Sequence, residues 1–138
     1  MPEKLQKNNA RSKASLTHQK VILILEDDPD CLQVYKEVVI KLGHHAYATS
    51  DGFEALAHAA DLPRLDLVLL DIDMPVMNGI RFYNEFRKIG SHRKAKTILT
   101  SSNKLAADLC VALGFFAYAP KSTPIERLQV LVSNALLG

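Results

Sequence analysis

Five short apolar runs punctuate the chain, at residues 20–25, 45–49, 67–70, 97–99 and 115–119, and each has the length and composition of a strand. The run Leu67, Val68, Leu69, Leu70 has no polar interruption, as expected of a strand buried on both faces. Between the runs, apolar residues recur at helical spacing. One stripe is Leu32, Tyr35, Val38, Val39 and Leu42, stopping at Gly43; the next, after the turn Ser50-Asp51-Gly52, is Phe53, Leu56, Ala57 and Ala60. Gly79 leads into Phe82, Phe86 and Ile89. Leu105, Leu109, Ala112 and Leu113 run to Gly114, and Ile125, Leu128, Leu131, Val132 and Ala135 form the last stripe. Asp28 is placed to cap the first helix, with Pro29 at its first position. Pro63 closes the connection before the third strand, and Thr123 with Glu126 predicts a capping box on the last helix, Pro124 being its first residue.

Strand and helix thus alternate five times. Short connections of this kind require right-handed crossovers and a mostly parallel sheet, so the carboxyl ends of all strands lie along one edge. That edge gathers Glu26, Asp27, Asp71, Thr100 and Lys121. Open α/β proteins bind their ligands outside such an edge. Asp71 is its centre, standing where the most apolar run stops and a loop of Asp73, Met74, Pro75, Asn78 and Gly79 begins. Capping and the helix dipole account for Asp28 and Asp30 but not for Glu26 and Asp27. Parallel neighbours lie about 4.8 Å apart, so with the first and third strands adjacent Asp27 and Asp71 can share one small cation. An all-oxygen set with few protein ligands suits Mg2+, completed by waters and phosphate oxygens, and Mn2+ could take the same place. Lys121 and Thr100 would supply the point charge and the hydroxyl that a phosphoryl group needs.

With 138 residues, 48% of them hydrophobic, the chain can bury one core and reads as one domain. No apolar run is long enough to span a bilayer and the first twenty residues hold no hydrophobic segment, so a cytoplasmic protein is expected. Cys31 and Cys110 lack any zinc or redox spacing and read as reduced packing residues; His44, His45 and His58 show no ligand pairing and read as surface residues. The net charge of +2 is uneven. Residues 1–20 carry five basic and one acidic side chain, a net of +4, leaving 12 basic and 14 acidic, a net of −2, for the remainder. With Leu5 and Leu16 as their only large apolar residues, residues 1–19 are expected to form a disordered basic tail ahead of a domain spanning 20–138. Such clusters, like Lys88, Arg93, Lys94 and Lys96, are ordinarily solvated, and neither membrane contact nor direct nucleic-acid binding is expected.

Over residues 20–137 the chain resembles the response-regulator receiver domain of two-component signalling, through ILEDDPD, LVLLDIDMPVMNG, ILTSS and the lysine after the fifth strand, in that order. The resemblance implies a flavodoxin-like, doubly wound (βα)5 sandwich with a five-stranded parallel sheet of order 2-1-3-4-5. It implies Asp71 as phosphoacceptor, and Glu26 and Asp27 as the acidic pair that holds Mg2+ with Asp71 and the backbone carbonyl of Asp73. Thr100 matches the switch hydroxyl, Lys121 the site lysine, and Tyr118 the aromatic whose rotation accompanies activation. The implied donor is a sensor histidine kinase or a histidine phosphotransfer protein. The implied target is a protein docking on the fourth helix, fifth strand and fifth helix, around Lys104, Asp108 and Tyr118, and a homodimer could use the fourth and fifth helices. Such a domain is a switch that catalyses only its own phosphorylation and slow dephosphorylation. Leu136 to Gly138 leave no chain for a linked output domain, so output by docking is expected unless the chain is cut from a longer protein.

Two departures matter. Where the family usually has proline in a cis peptide after the lysine, Ser122 stands here, so a trans Lys121–Ser122 bond with a rebuilt loop is expected. Asp73 and Ser102, each two residues beyond a site residue, would face the water that hydrolyses the phosphate and so set its lifetime. Two rival readings remain. Asp71-Ile72-Asp73 also looks like the Asp-x-Asp pair of haloacid-dehalogenase-like Mg2+-dependent phosphatases. Those carry it on the first strand and need a later pair of acids, whereas Glu85, Asp108 and Glu126 are scattered. A receiver-like scaffold that takes no phosphate is the third, opposed by the presence of every expected site residue.

Overall fold

The uninterrupted apolar runs form strands because each can bury both faces between helices. A computed structural model describes residues 19–73, 77–92, 94–102 and 105–137. In order these form β1 (Val21–Leu25), α1 (Pro29–Lys41), β2 (His45–Thr49), α2 (Gly52–Asp61), β3 (Leu67–Leu70) and α3 (Gly79–Phe86). A 3-10 turn (Gly90–His92), β4 (Lys96–Leu99), α4 (Ala106–Leu113), β5 (Ala117–Tyr118) and α5 (Ile125–Ala135) follow. All pairings are parallel and the order is β2-β1-β3-β4-β5, the expected doubly wound arrangement. The expected tail lies outside the described residues except for Gln19, as do Met74, Pro75, Arg93 and Lys104.

Strand residues alternate between two apolar layers. Ile22, Ile24, Leu67, Leu69 and Ile98 meet α1 and α5 through Tyr35, Val38, Val39, Leu128, Val132 and Ala135. Leu23, Leu25, Val68, Leu70 and Leu99 meet the opposite helices through Ala55, Ala59, Phe82, Phe86 and Ala106. Side-chain caps begin three helices: Asp28 accepts from the Asp30 N–H (2.9 Å), Asp51 from that of Phe53 (2.8 Å) and Asn78 from that of Arg81 (2.9 Å). Gly43 and Gly114 carry positive φ beyond α1 and α4, as their places at the ends of the stripes require.

Three helix faces differ from expectation. α2 buries Gly52, Ala55 and Ala59, while Phe53, Ala57 and Ala60 are exposed and Leu56 is half-buried. Its small residues let the helix approach closely, a Cβ on Gly52 already meeting the Met77 side chain, and Phe53 lies outside under the Arg81 guanidinium. On α4, Ala106 is buried, Leu109 and Leu113 are half-buried, and Leu105 and Ala112 are exposed. The capping box does not form: the Thr123 N–H donates to the Pro120 carbonyl (2.8 Å), and α5 starts at Ile125, itself exposed, with Pro124 as N-cap and no side-chain cap bond. β5 shrinks to two residues.

The histidines divide. His45 is exposed and His58 reaches Glu54 (3.4 Å) along α2, whereas the half-buried His44 accepts the Lys20 N–H on Nδ1 (3.0 Å). Burial, reinforced by Lys20, lowers the His44 pKa below its ordinary 6.5. The unfolded chain therefore binds the proton first, and the stability His44 contributes, full above pH 6.5, is lost as the pH falls through and below that value. We expect the melting temperature of His44→Gln, which keeps an acceptor but cannot protonate, to gain on that of the parent protein as the pH falls from 7.5 to 5.5. Equal slopes would remove His44 as the cause. At Gly79 a Cβ would run into the Asp71 carbonyl and Ile72 Cα, both backbone. Gly79→Ala should cost at least about 1–3 kcal/mol in urea melts, and more than Gly52→Ala, where a flexible methionine can yield.

Candidate functional site

The β-ladder continues one step beyond each strand and fixes the site. The Glu26 N–H donates to the Thr49 carbonyl (3.2 Å), that of Asp71 to Leu25 (3.0 Å), that of Thr100 to Leu70 (2.8 Å) and that of Ala119 to Leu99 (2.7 Å). Because Leu25 pairs with Leu70, Glu26 and Asp71 emerge side by side from β1 and β3. Glu26, Asp71 and Thr100 are all fully buried; Asp27 is exposed at the rim. The carboxylates of Glu26, Asp27 and Asp71 present ligand atoms within 4.8 Å of one another.

Among the described residues, Lys121 is the cation that reaches this cluster. Lys121, in the turn after β5, puts Nζ 3.1 Å from Glu26 Oε2 and 3.3 Å from Asp71 Oδ2. No described peptide bond is cis, so Lys121–Ser122 is trans as expected and the lysine still arrives. Burial pushes the Glu26 pKa up to about 8, with the hydrogen bond and negative charge of Asp71 adding to it. Burial opposes the Lys121 ammonium, but the Glu26 hydrogen bond and the two carboxylate charges outweigh it and raise its pKa. Glu26 Oε1 and Asp71 Oδ2 are buried and complete no hydrogen bond among the described residues. Three carboxylates against one ammonium, with oxygen atoms left over, fit a hard divalent cation with few protein ligands.

The loops above the cluster are tied together. The Asp73 N–H donates to Asp71 Oδ1 (3.1 Å), the Ser101 hydroxyl to Asp73 Oδ2 (3.0 Å), and the Tyr118 hydroxyl to the Ser101 carbonyl (2.9 Å). Thr100, Lys121 and Tyr118 thus come to one end of the sheet with the acids, as read from sequence. Ser102 is exposed, and the buried Ser101 is the serine that reaches Asp73. Sequence reasoning missed Ser101 because a hydroxyl one residue past a strand end looks like any turn residue. It also missed His92, buried with Nε2 2.7 Å from the Ala59 carbonyl, which has no neighbouring pattern to mark it.

The family model of the response regulator receiver domain matches residues 22–133, and the chain belongs to that family. It is similar to the transcriptional regulatory protein CpxR of Klebsiella pneumoniae, 35% identical over 101 residues that make up 72% of this chain and 42% of that protein. It is also similar to the hybrid signal transduction protein dokA of Dictyostelium discoideum, 29% identical over 116 residues, 84% of this chain and 7% of that protein. The chain spans less than half the length of either relative. Among solved structures, it resembles the receiver domain of the sensor histidine kinase PA1611 from Pseudomonas aeruginosa PAO1, which has a magnesium ion coordinated in its active-site cleft. That match has 26% identity and a TM-score of 0.75, and covers 86% of this chain and 98% of that one. These matches favour a two-component receiver over the phosphatase reading.

Lys121→Met leaves two buried carboxylates without their counter-ion. In the presence of a chelator it should cost about 3 kcal/mol, and millimolar Mg2+ should recover part of the loss by binding the folded state. Urea melts with and without Mg2+ read this directly; a loss untouched by Mg2+ would count against cation binding at the cluster.

Proposed function

We propose that this domain is a phosphorylation switch in which Asp71 accepts a phosphoryl group from a histidine of a sensor kinase or phosphotransfer protein. The observation that carries the reading is Asp71 itself, buried at the end of β3, with two further carboxylates around it and the Lys121 ammonium 3.3 Å from Oδ2. An Asp71 carboxylate oxygen forms the new O–P bond while the P–N bond to the donor imidazole breaks, and that imidazole leaves with the bonding pair. Glu26, Asp27, Asp71 and the Asp73 carbonyl are the proposed Mg2+ ligands. When bound, Mg2+ neutralises charge on the transferring group. Lys121 holds one of its oxygens, and buried, preorganised charge of this kind acts strongly on a transition state that spreads charge over the equatorial oxygens.

Thr100 is the proposed switch hydroxyl, drawn toward the aspartyl phosphate, and Tyr118 moves with it. In the resting domain the Tyr118 hydroxyl is bonded to the Ser101 carbonyl next to Thr100, so a shift of that strand end changes the tyrosine's anchor. Asp73, held by Ser101, would govern access of hydrolytic water. The output surface is α4, β5 and α5, where Leu105, Val111, Phe116 and Ile125 are exposed apolar side chains available to a protein target or a second copy. No helix among the described residues is long and apolar enough to cross a membrane, which is compatible with a cytoplasmic role. The domain's catalysis would be confined to gaining and slowly losing its own phosphate.

Incubation with acetyl phosphate and Mg2+, followed by intact-mass spectrometry, should give one phosphate adduct. The adduct should be absent without a divalent cation and absent in Asp71→Asn. A folded protein that binds Mg2+ and takes no phosphate would support the scaffold reading instead.

A further inference from the structure

Ser101 stands one residue past Thr100, whose N–H donates to the Leu70 carbonyl (2.8 Å), and it is fully buried. Two sides of this serine hold different parts of the domain. Its hydroxyl donates to Asp73 Oδ2 (3.0 Å), and its carbonyl accepts the Tyr118 hydroxyl (2.9 Å). Asp73 in turn donates its N–H to Asp71 Oδ1 (3.1 Å), so a run of hydrogen bonds leads from the tyrosine of the output surface to the phosphoacceptor. Asp73 is exposed beside the fully buried Asp71. Solvent that comes to Asp71 from that side meets the Asp73 carboxylate first. The buried Ser101 hydroxyl has no bulk water to take in exchange for this acceptor, so the bond to Asp73 is costly to break while the serine keeps its place.

We propose that Ser101 is a positioning residue that keeps the Asp73 carboxylate from activating the water that hydrolyses the aspartyl phosphate, and that Tyr118 sets how firmly it does so. This role rests on the reading of Asp71 as phosphoacceptor. In hydrolysis the oxygen of water bonds to phosphorus while the P–O bond to Asp71 breaks. The electron pair of that bond returns to the carboxylate, and both water protons leave on inorganic phosphate. A carboxylate beside the attacking water speeds this step by accepting a hydrogen bond from it. Ser101 takes an acceptor site on Oδ2 and fixes the direction of the Asp73 side chain, which blunts it as a base. When Tyr118 turns away, the Ser101 carbonyl loses that donor, the serine gains freedom to rotate, and Oδ2 is released to the water. Whatever covers α4, β5 and α5 and moves the Tyr118 ring thereby changes how long the phosphate lasts.

The parent protein, Ser101→Ala, Tyr118→Phe and their double variant are phosphorylated by acetyl phosphate with Mg2+, freed of donor, and followed by intact mass as the adduct decays. Ser101→Ala should lose its phosphate about two- to tenfold faster, the range one hydrogen bond supplies. Tyr118→Phe should also speed the loss, and should add nothing in Ser101→Ala. In an Asp73→Ala background no carboxylate remains to be held, so Ser101→Ala should change nothing there, whereas an effect of disturbed packing would persist. An unchanged or longer lifetime in either single variant, the same fold-change in Asp73→Ala, or a Tyr118→Phe effect undiminished in Ser101→Ala would each overturn the proposal. A parent protein that takes no phosphate sinks the phosphoacceptor reading and this role with it. An adduct whose decay ignores Ser101 sinks the role alone.

Discussion

Glu26 and Asp71 are neighbours at the ends of β1 and β3, both fully buried, and charges so placed in a weakly polarisable interior repel strongly. Water cannot screen them. The structure answers with one ammonium, Lys121, that contacts both, and with a neighbouring acid, Asp27, that leaves the cluster short of positive charge. Burial first, and the hydrogen bond and charge of Asp71 after it, hold the Glu26 pKa up at about 8. A proton, a divalent cation or a phosphoryl group bringing its own cation changes the balance at this point more than anywhere else in the domain.

Holding like charges together requires a rigid frame, and the frame is the parallel ladder. Glu26, Asp71, Thr100 and Ala119 each donate a backbone hydrogen bond to the adjacent strand after the regular strand has ended, so the site inherits the register of the sheet. Gly79 contributes from the other side. Its lack of a Cβ lets α3 begin against the Asp71 backbone, and Asn78 caps that helix in the same turn. Above this frame the loops are tied by hydrogen bonds, among them those from Ser101 to Asp73 and from Tyr118 to Ser101. A net hydrogen bond contributes about 0.5–1.5 kcal/mol, an amount the binding of a charged group can override.

Most of the fold was legible because buried parallel strands are written as unbroken apolar runs. Leu67–Leu70 lies where Leu67, Val68, Leu69 and Leu70 predict it, and Asp28, Asp51 and Gly79 mark helix starts by residue type. The site was legible for the same reason, since its acids, threonine and lysine stand where those runs stop. The errors have a common cause too. On α2 and α4 the buried positions are Gly52, Ala55, Ala59 and Ala106, where closeness of approach, not size of side chain, decides burial. A search for large apolar residues selects Phe53 and Leu105, which face outward. Contacts made across loops, such as Ser101 with Asp73, carry no periodic signal at all.

The loop after β5 is the clearest departure from the family pattern, and its consequence is limited by the register. The Ala119 N–H is bound to Leu99 and the Thr123 N–H to Pro120, so the backbone is fixed on both sides of Lys121 by bonds that do not involve Ser122. With its Cα held in that way, a flexible four-carbon stem needs only to follow the field of two buried carboxylates. α5 begins without a side-chain cap because its N-cap residue, Pro124, has no side-chain acceptor. An exposed helix start can find water for its amides, whereas buried Glu26 and Asp71 depend on Lys121, on the N–H groups of Asp28 and Asp73, and on whatever cation the site admits.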